Sequence, residues 1–343
     1  MLEEIADQPA ALGRLTEHAS EYGAVAAEMR KRRVRYVRLV GHGSSDNAAS
    51  YGVYAFGLLP GWTAARDSIS LTVYYDADID VSDSCVVALS QSGETPDVVE
   101  YVQRARRRGA YTVGITNDTS SSLADAAEAV LPLAAGAERA VAATKTYTAQ
   151  LAALALLAGH AAERGAEIAE GILAAGDAIR GMITPLQAKV MELSVPFAYV
   201  GRMFVIGRGP EFATARELSL KLLETCRVAA EPLTATDMIH GPVAALDTLF
   251  PIWAIASDEQ SLPAVKEAAR RAQAVGATLV ACGSLAHRIE HPDYLLPVPA
   301  PALPILAPLL SIVPGQLFAW ALARTKGLDP DRPSGLSKIT LAP

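Results

Sequence analysis

The 343-residue sequence predicts an α/β protein made of two tandem, doubly wound parallel-sheet domains related by duplication. Two observations predict this fold. Apolar runs typical of buried strands alternate with helical patterns, as in parallel sheets covered by helices on both faces. The same unit of strand, glycine loop and helix also occurs twice, with Gly41 and Gly207 at equivalent positions 166 residues apart.

The elements of the two copies follow in the same order. In the first copy a strand ends at Gly41, a helix runs through Tyr51, and a second strand leads into a helix and a third strand. The predicted strands of the first copy are 38–40, 85–90 and 112–116, and those of the second are 204–206, 252–257 and 278–282. Pro185 is expected to interrupt a helical region, which predicts domains at 1–185 and 186–343.

Composition excludes several classes of protein. The net charge of −7 argues against general affinity for nucleic acid. The three cysteines are far apart and form no CxxC pair, so neither a disulfide framework nor a zinc site is indicated. A reducing cytoplasm is therefore the expected location.

One segment is long enough to cross a membrane. Residues 294–323 carry no charge, but they contain six prolines, which disfavour a continuous spanning helix. We expect a buried strand followed by a core or interface helix, and no membrane partner. The acidic N-terminus (Glu3, Glu4 and Asp7) has the wrong charge for a signal peptide.

The most informative motif is the turn after the strand 85–90. Three hydroxyls lie beside the free amides of a following helix, an arrangement that favours binding of a dianion such as a sugar phosphate. Its predicted contacts are Ser90, Gln91, Ser92 and Thr95. Ser44 and Ser45 form a second serine-rich turn, for which simple helix capping is the competing interpretation.

The second copy lacks this chemistry. Asp258 and Glu259 stand where the first copy has its serines, and two carboxylates would repel a dianion. One phosphate site per pair of domains is therefore predicted. A dinucleotide site is a poor fit, because the third glycine of the GxGxxG pattern is missing after Gly43.

Three charged residues of the second half share one helix face. Glu217, Lys221 and Glu224 are spaced i, i+4 and i+7. A surface salt-bridge ladder is the competing interpretation. His240 follows in a loop with Gly241 and Pro242, and the combination of glutamate, histidine and phosphate turn favours catalysis.

Together these motifs resemble the sugar isomerase (SIS) domain family, and the resemblance covers essentially the whole chain. It extends to the isomerase half of glucosamine-6-phosphate synthase and to stand-alone glucosamine-6-phosphate deaminases. The segment from Ala142 to Gln150 looks like the part that closes over the sugar, and Leu336 to Thr340 resembles a C-terminal lysine motif. The implied fold is a pair of flavodoxin-like domains without metal or cofactor.

The resemblance also implies roles for individual residues. Glu224 would move a proton between C1 and C2 of the sugar, with Glu217 and Lys221 positioning it. His240 would assist ring opening and reach the site of a neighbouring subunit in a homodimer. Lys338 would meet the open-chain carbonyl, and Val141 and Ala142 would contact the sugar.

The pattern departs from the synthase at several places. No cysteine precedes Cys85, so we expect that this chain does not draw ammonia from glutamine by itself. Ala143 stands where the synthase pattern has a serine, which removes one expected contact to a sugar hydroxyl. The expected reaction is therefore glucosamine-6-phosphate plus water to fructose-6-phosphate plus ammonia. A fructosamine-6-phosphate deglycase and a sugar-phosphate-binding protein without turnover are the alternatives.

Overall fold

The computed structural model describes residues 1–336. The chain forms two compact units, and each contains a five-stranded parallel sheet. The first unit comprises residues 10–138 and 145–173, and the second comprises 1–9, 139–144 and 174–336. The chain therefore passes between the units more than once, and the simple division at residue 185 stays a prediction.

The first unit is wound around strands β1 to β5. These are β1 (Tyr36–Val40), β2 (Thr63–Arg66), β3 (Ser84–Ser90), β4 (Tyr111–Thr116) and β5 (Ala129–Pro132). Its helices are α2 (Ala19–Lys31), α3 (Ser44–Leu58), α4 (Ile69–Val73), α5 (Pro96–Arg107), α6 (Ser122–Ala126) and α7 (Lys145–Ala161), while α1 (Leu2–Glu17) and α8 (Gly165–Ser194) contribute residues to both units.

The strand order in this sheet is β2-β1-β3-β4-β5, and all pairs are parallel. From β1 the chain goes first to one side of the sheet and then returns to the other. Ligands of open α/β sheets bind outside the carboxyl ends of the strands at this switch point. It lies between β1 and β3, the two strands that lead into the serine-rich turns.

The second unit repeats this topology. Its strands are β6 (Arg202–Gly207), β7 (Ala229–Thr234), β8 (Pro251–Ile255), β9 (Thr278–Gly283) and β10 (Tyr294–Pro297), and its helices are α9 (Glu211–Cys226), α10 (Ala235–Ile239), α11 (Leu262–Ala274) and α12 (Ala307–Thr325). The order is β7-β6-β8-β9-β10. With β6 in the place of β1, the two orders are identical, which confirms two tandem doubly wound domains related by duplication.

Each sheet has its own apolar core. All seven residues of β3 are buried, as expected for a central parallel strand covered on both faces. In the first unit Val86, Ala88 and Val98 belong to one cluster with Tyr101 and Leu123. The second unit has an equivalent cluster in which β8 and β9 pack against α11.

The sequence analysis made a prediction for each of two proline-containing helices, α8 and α12. The expected interruption at Pro185 was wrong, because α8 runs without a break from Gly165 to Ser194 with that proline inside it. A proline removes one backbone donor, but a long helix tolerates this loss as a bend. For the uncharged segment, the predicted core helix is confirmed: the one apolar helix long enough to span a membrane among the described residues is fully buried. The strand before it, β10, was predicted to be buried, but only Leu296 is buried and Pro297 is exposed.

Candidate phosphate turn and buried carboxylate–lysine cluster

The turn between β3 and α5 is organised by its own hydroxyls. Ser90 is buried, and its Oγ accepts a hydrogen bond of 3.1 Å from the amide of Gly93 and lies 3.2 Å from Thr95 Oγ1. Ser92 Oγ accepts from the amide of Glu94 at 3.2 Å. The three predicted hydroxyls therefore belong to one compact turn at the N-terminus of α5, where the helix dipole favours an anion.

Gly93 is required by the shape of this turn. Its φ of +71° is disfavoured for residues with a side chain. A Cβ atom at this position would lie 1.9 Å from Ser121 Oγ. The glycine lets the turn pack directly against the segment before α6.

The acidic residue of the turn is engaged elsewhere. The Glu94 carboxylate accepts hydrogen bonds from the Ser122 amide at 2.9 Å and from the Ser122 hydroxyl at 2.7 Å. These bonds, the amide first, lower the pKa of the Glu94 carboxyl. Gln91 is fixed through its backbone carbonyl, which accepts from the amide of Asn117 at 3.2 Å.

The second serine turn lies at the same edge of the first sheet. Strands β1 and β3 are paired, with Val40 opposite Ala88, so their carboxyl ends are neighbours. Ser44 is half-buried at the start of α3, whereas Ser45 is buried and its Oγ accepts from Gln150 Nε2 at 2.8 Å. The structure therefore brings both predicted hydroxyl turns to the switch point of one sheet.

A histidine–aspartate pair joins these turns, and the sequence analysis missed it. His42 Nε2 lies 2.5 Å from Asp97 Oδ2, with the imidazole half exposed and the carboxylate largely buried. His42 follows β1, and Asp97 begins the helix after β3. The pair could have been found from the sequence only by knowing that β1 and β3 are adjacent.

The second unit holds the predicted charged cluster. On α9 the Lys221 Nζ lies 2.6 Å from Glu224 Oε2 and 3.4 Å from Glu217 Oε1. The side chains of Glu217 and Lys221 are fully buried, whereas Glu224 is 23% exposed. The interpretation as a surface ladder was therefore wrong. Lys221 is a buried cation between two carboxylates, of which Glu224 is the one open to solvent.

Glu224 lines a pocket of about 560 Å³ in the second unit. The pocket is formed by the C-terminal end of α9 and the segment after α12. Arg227, which ends α9 with a φ of +54°, donates a hydrogen bond of 3.1 Å to Ser334 Oγ. Leu336 is the last residue of this lining, and Lys338 lies outside the described residues.

The remaining predicted residues of this unit lie elsewhere. His240 is exposed directly after α10, and among the described residues it does not line the pocket that contains Glu224. Val141 is half-buried and donates its amide to the carbonyl of Asp331 at 3.1 Å, while Ala142 is buried.

The equivalent edge of the second sheet is occupied by acidic side chains. Asp258 Oδ1 accepts from the amide of Ser261 at 2.9 Å. Glu211 is buried at the start of α9 and accepts from the hydroxyls of Thr214 and Ser311 at 2.6 and 2.8 Å. Burial raises the pKa of Glu211. This carboxyl-lined edge supports the prediction that only the first sheet holds a phosphate turn.

Within residues 1–336 no group of three histidine, cysteine, aspartate or glutamate side chains is placed to hold a metal ion. The available donors are instead hydroxyls, amides, imidazoles, carboxylates and the buried amine of Lys221. These groups can bind an anion and move protons.

Fold and site together define a tandem α/β protein with a hydroxyl-rich strand-to-helix turn at the switch point of its first sheet. The SIS domain family model matches residues 29–159. A solved structure from Silicibacter pomeroyi DSS-3, assigned to the phosphosugar isomerases, is 33% identical, with a TM-score of 0.86 over 96% of this chain and 99% of its own. The chain belongs to the SIS family of sugar-phosphate isomerases.

The chain is also similar to two aminotransferases. The C-terminal domain of glucosamine-fructose-6-phosphate aminotransferase from Francisella tularensis is 26% identical, with a TM-score of 0.88 over 97% of this chain and 98% of its own. The glutamine–fructose-6-phosphate aminotransferase of Pyrococcus horikoshii is 33% identical over 98% of this chain. The chain spans only 57% of the length of that relative.

Proposed function

We propose that this protein converts glucosamine-6-phosphate and water into fructose-6-phosphate and ammonia. The observation that carries the proposal is the position of Glu224: it is the solvent-open carboxylate of a buried Glu–Lys–Glu cluster, and it lines a pocket of about 560 Å³. A carboxylate held in this way is suited to removing a proton from carbon and returning it.

Phosphate binding is assigned to the turn of the first unit. Ser90, Ser92 and Thr95 supply hydroxyl donors, and the amides at the start of α5 add the positive end of the helix dipole. Ser44 and Ser45 extend the hydroxyl-rich edge from the neighbouring strand. A phosphate needs no lysine in such a site, because the oriented amides supply the positive potential.

The proposed chemistry is an isomerisation followed by hydrolysis: a carbon-bound proton moves from C2 to C1, and one proton of the amine moves to the oxygen on C1. Glu224 removes the proton from C2 of the open-chain aldehyde and delivers it to C1. The C1 aldehyde becomes a hydroxymethyl group, and the amine-bearing C2 becomes an imine. Water then adds to C2, which leaves a ketone and releases ammonia.

The other assigned roles follow the family resemblance. His240 assists ring opening by proton exchange with the ring oxygen, and Lys338 meets the open-chain carbonyl as a cation or a Schiff base. Glu217 and Lys221 position Glu224, consistent with their complete burial. Val141 and Ala142 contact the sugar.

The proposal also covers the cellular location, the oligomeric state and the partners of the enzyme. We infer a cytoplasmic homodimer with shared active sites, a sugar 6-phosphate as the small-molecule partner, and no nucleic-acid or membrane partner. The identity to two aminotransferases that act on fructose-6-phosphate, by their names, supports the substrate class. The Thermotoga maritima glucosamine-6-phosphate deaminase, 22% identical with a TM-score of 0.76, supports the fold.

The test is to supply glucosamine-6-phosphate and to measure ammonia and fructose-6-phosphate. We expect both products in equal amounts, and a loss of about 10²–10⁴-fold in turnover for Glu224→Gln, since the base is removed. Glu192→Gln, which changes an exposed carboxylate of α8, is the matched control and should keep full activity.

A panel of other 6-phosphates separates the alternatives. Turnover of fructosamine 6-phosphates without release of ammonia from glucosamine-6-phosphate would replace the proposal by a deglycase. Binding of sugar phosphates without any isomerisation would identify a non-catalytic binding protein instead.

A further inference from the structure

Residues 139–144 form a short segment of the second unit, and one end of it is held by α1. Glu4 is 7% exposed, and its Oε1 accepts hydrogen bonds from the amides of Arg139 and Ala140, the second at 3.0 Å. Two consecutive backbone donors are thereby bound by one buried carboxylate oxygen. Hydrogen bonds to an ionised acceptor are stronger than neutral ones.

The other end of this segment is held through a pair of glutamines. Gln8 Nε2 donates to Gln316 Oε1 at 2.8 Å, and Gln316 Nε2 donates to the carbonyl of Thr144 at 3.3 Å. Neither glutamine side chain is exposed. Gln8 also donates to the carbonyl of Ile5 at 3.1 Å, which fixes the orientation of its amide.

The sequence spacing explains why α1 can hold both ends of segment 139–144. Glu4 and Gln8 are four positions apart on α1, so they lie on the same helix face. Buried polar side chains cost free energy unless they are hydrogen-bonded. Glu4 binds segment 139–144 directly, and Gln8 reaches it through Gln316. The middle of the segment is held from a third side, because Val141 donates its amide to the carbonyl of Asp331 at 3.1 Å.

Val141 and Ala142 lie between these anchors, and they are the residues assigned above to sugar contact. We propose that Glu4 and Gln8 are positioning residues that hold the sugar-contacting backbone of segment 139–144, and thereby set the affinity for the sugar part of the substrate. This inference rests on the proposed function and adds to it a determinant on α1, far from the catalytic carboxylate in sequence.

The functional test compares Glu4→Met, Glu4→Gln and Glu3→Met with glucosamine-6-phosphate as substrate. Glu3 is the exposed neighbour of Glu4 and is the matched control. We expect KM to rise about tenfold in Glu4→Met, because this change removes both hydrogen bonds from the Arg139 and Ala140 amides. The rise should be smaller in Glu4→Gln, because the amide oxygen still accepts, and absent in Glu3→Met.

Two further readouts distinguish positioning from general damage. Turnover at saturation should stay within about twofold of the parent, because the lost contact binds the substrate and the transition state equally. Inhibition by inorganic phosphate should be unchanged in all three variants, because the phosphate turn is elsewhere. Equal losses of kcat and of phosphate binding would overturn the proposal.

Amide hydrogen exchange tests, without any substrate, whether Glu4 and Gln8 hold segment 139–144; we call this arrangement the clamp. We expect faster exchange at residues 139–141 in Glu4→Met, and in Gln8→Met at the Thr144 end, with parent behaviour in Glu3→Met. Unchanged exchange in both variants would refute the clamp even if the enzyme is active. If no sugar phosphate is turned over by the parent, the proposed function fails while the exchange result still decides the clamp.

Discussion

The burial of Lys221 changes how the charge pattern on α9 is interpreted. Spacing alone places Glu217, Lys221 and Glu224 on one face of a helix, where ion pairs at the surface contribute little. In the structure Lys221 and Glu217 have no exposed side-chain surface. Water therefore cannot solvate these two charges, and the buried amine of Lys221 lies 2.6 Å from Glu224 Oε2.

We expect Lys221→Met to destabilise the protein by about 3–5 kcal/mol. Methionine fills a similar volume but removes the cation that lies 3.4 Å from the buried Glu217 carboxylate. The change in the free energy of unfolding is measured by denaturant titration.

The control for this substitution is Lys266→Met. Lys266 Nζ lies 3.0 Å from Glu290 Oε1, and the two side chains are 40% and 74% exposed. Loss of such a pair costs about 0–1 kcal/mol. Equal effects of the two substitutions would contradict a special role for the buried cation.

At the scale of elements, the strand-to-helix turns of the first sheet hold the residues proposed to bind phosphate. The turn after β3 combines a buried serine, a glycine with positive φ and a glutamate that binds the start of α6. Each of these features fixes the backbone rather than only supplying a donor. The turn is therefore preorganised for a ligand at the N-terminus of α5.

We expect Gly93→Ala to weaken phosphate binding and to lower stability by about 2–5 kcal/mol, from backbone strain together with overpacking against Ser121. Inhibition by inorganic phosphate and denaturant titration measure the two effects.

Gly61→Ala separates strain from crowding. Gly61 has a φ of +70°, nearly that of Gly93, but a Cβ atom there has no neighbour within 4 Å. We expect a loss of about 1–2 kcal/mol from strain alone and unchanged phosphate binding. A similar loss of phosphate affinity in both variants would show that the packing against Ser121 is unimportant.

At the scale of the whole molecule, duplication has produced two sheets of equal topology and unequal chemistry. The turns of the first sheet offer hydroxyls and amides, whereas the equivalent edge of the second holds Glu211 and Asp258. The second unit instead carries the buried cluster with Glu224 and the exposed His240. The exposure of His240 is compatible with its proposed role in the site of a neighbouring subunit.

Mixing two inactive variants tests this sharing of sites. If Glu224 and His240 of one active site come from different subunits, a heterodimer of Glu224→Gln and His240→Ala has one intact site. Random assortment of equal amounts then restores about one quarter of the active sites. The measurement is the rate of ammonia release after unfolding and joint refolding of the two variants.

The matched mixture is Glu224→Gln with Glu217→Gln. Both residues lie on α9 of the same subunit, so no heterodimer regains an intact site, and activity should stay at the level of the parents. Absence of recovery in the first mixture would mean that His240 acts within its own subunit or not at all.

Alternating strands and helices, repeated after 166 residues, were enough to predict the fold. The strand order confirms it, since β-α periodicity and right-handed crossovers leave few topologies. The serine turns were also predictable, because hydroxyls beside a helix start form a local motif. Helix spacing likewise placed Glu217, Lys221 and Glu224 together.

Only the tertiary structure decided which distant segments meet. The pairing of β1 with β3 brings His42 to Asp97, and the packing of the second unit brings Glu4 to Ala140. Burial of Lys221 likewise depends on what covers α9. Local sequence patterns specify backbone conformation and helix faces, but contacts between residues far apart in the chain depend on the packing of whole elements. For this reason the sequence by itself determined the fold and the hydroxyl-rich turn, while the tertiary structure decided how the charged cluster and segment 139–144 are held.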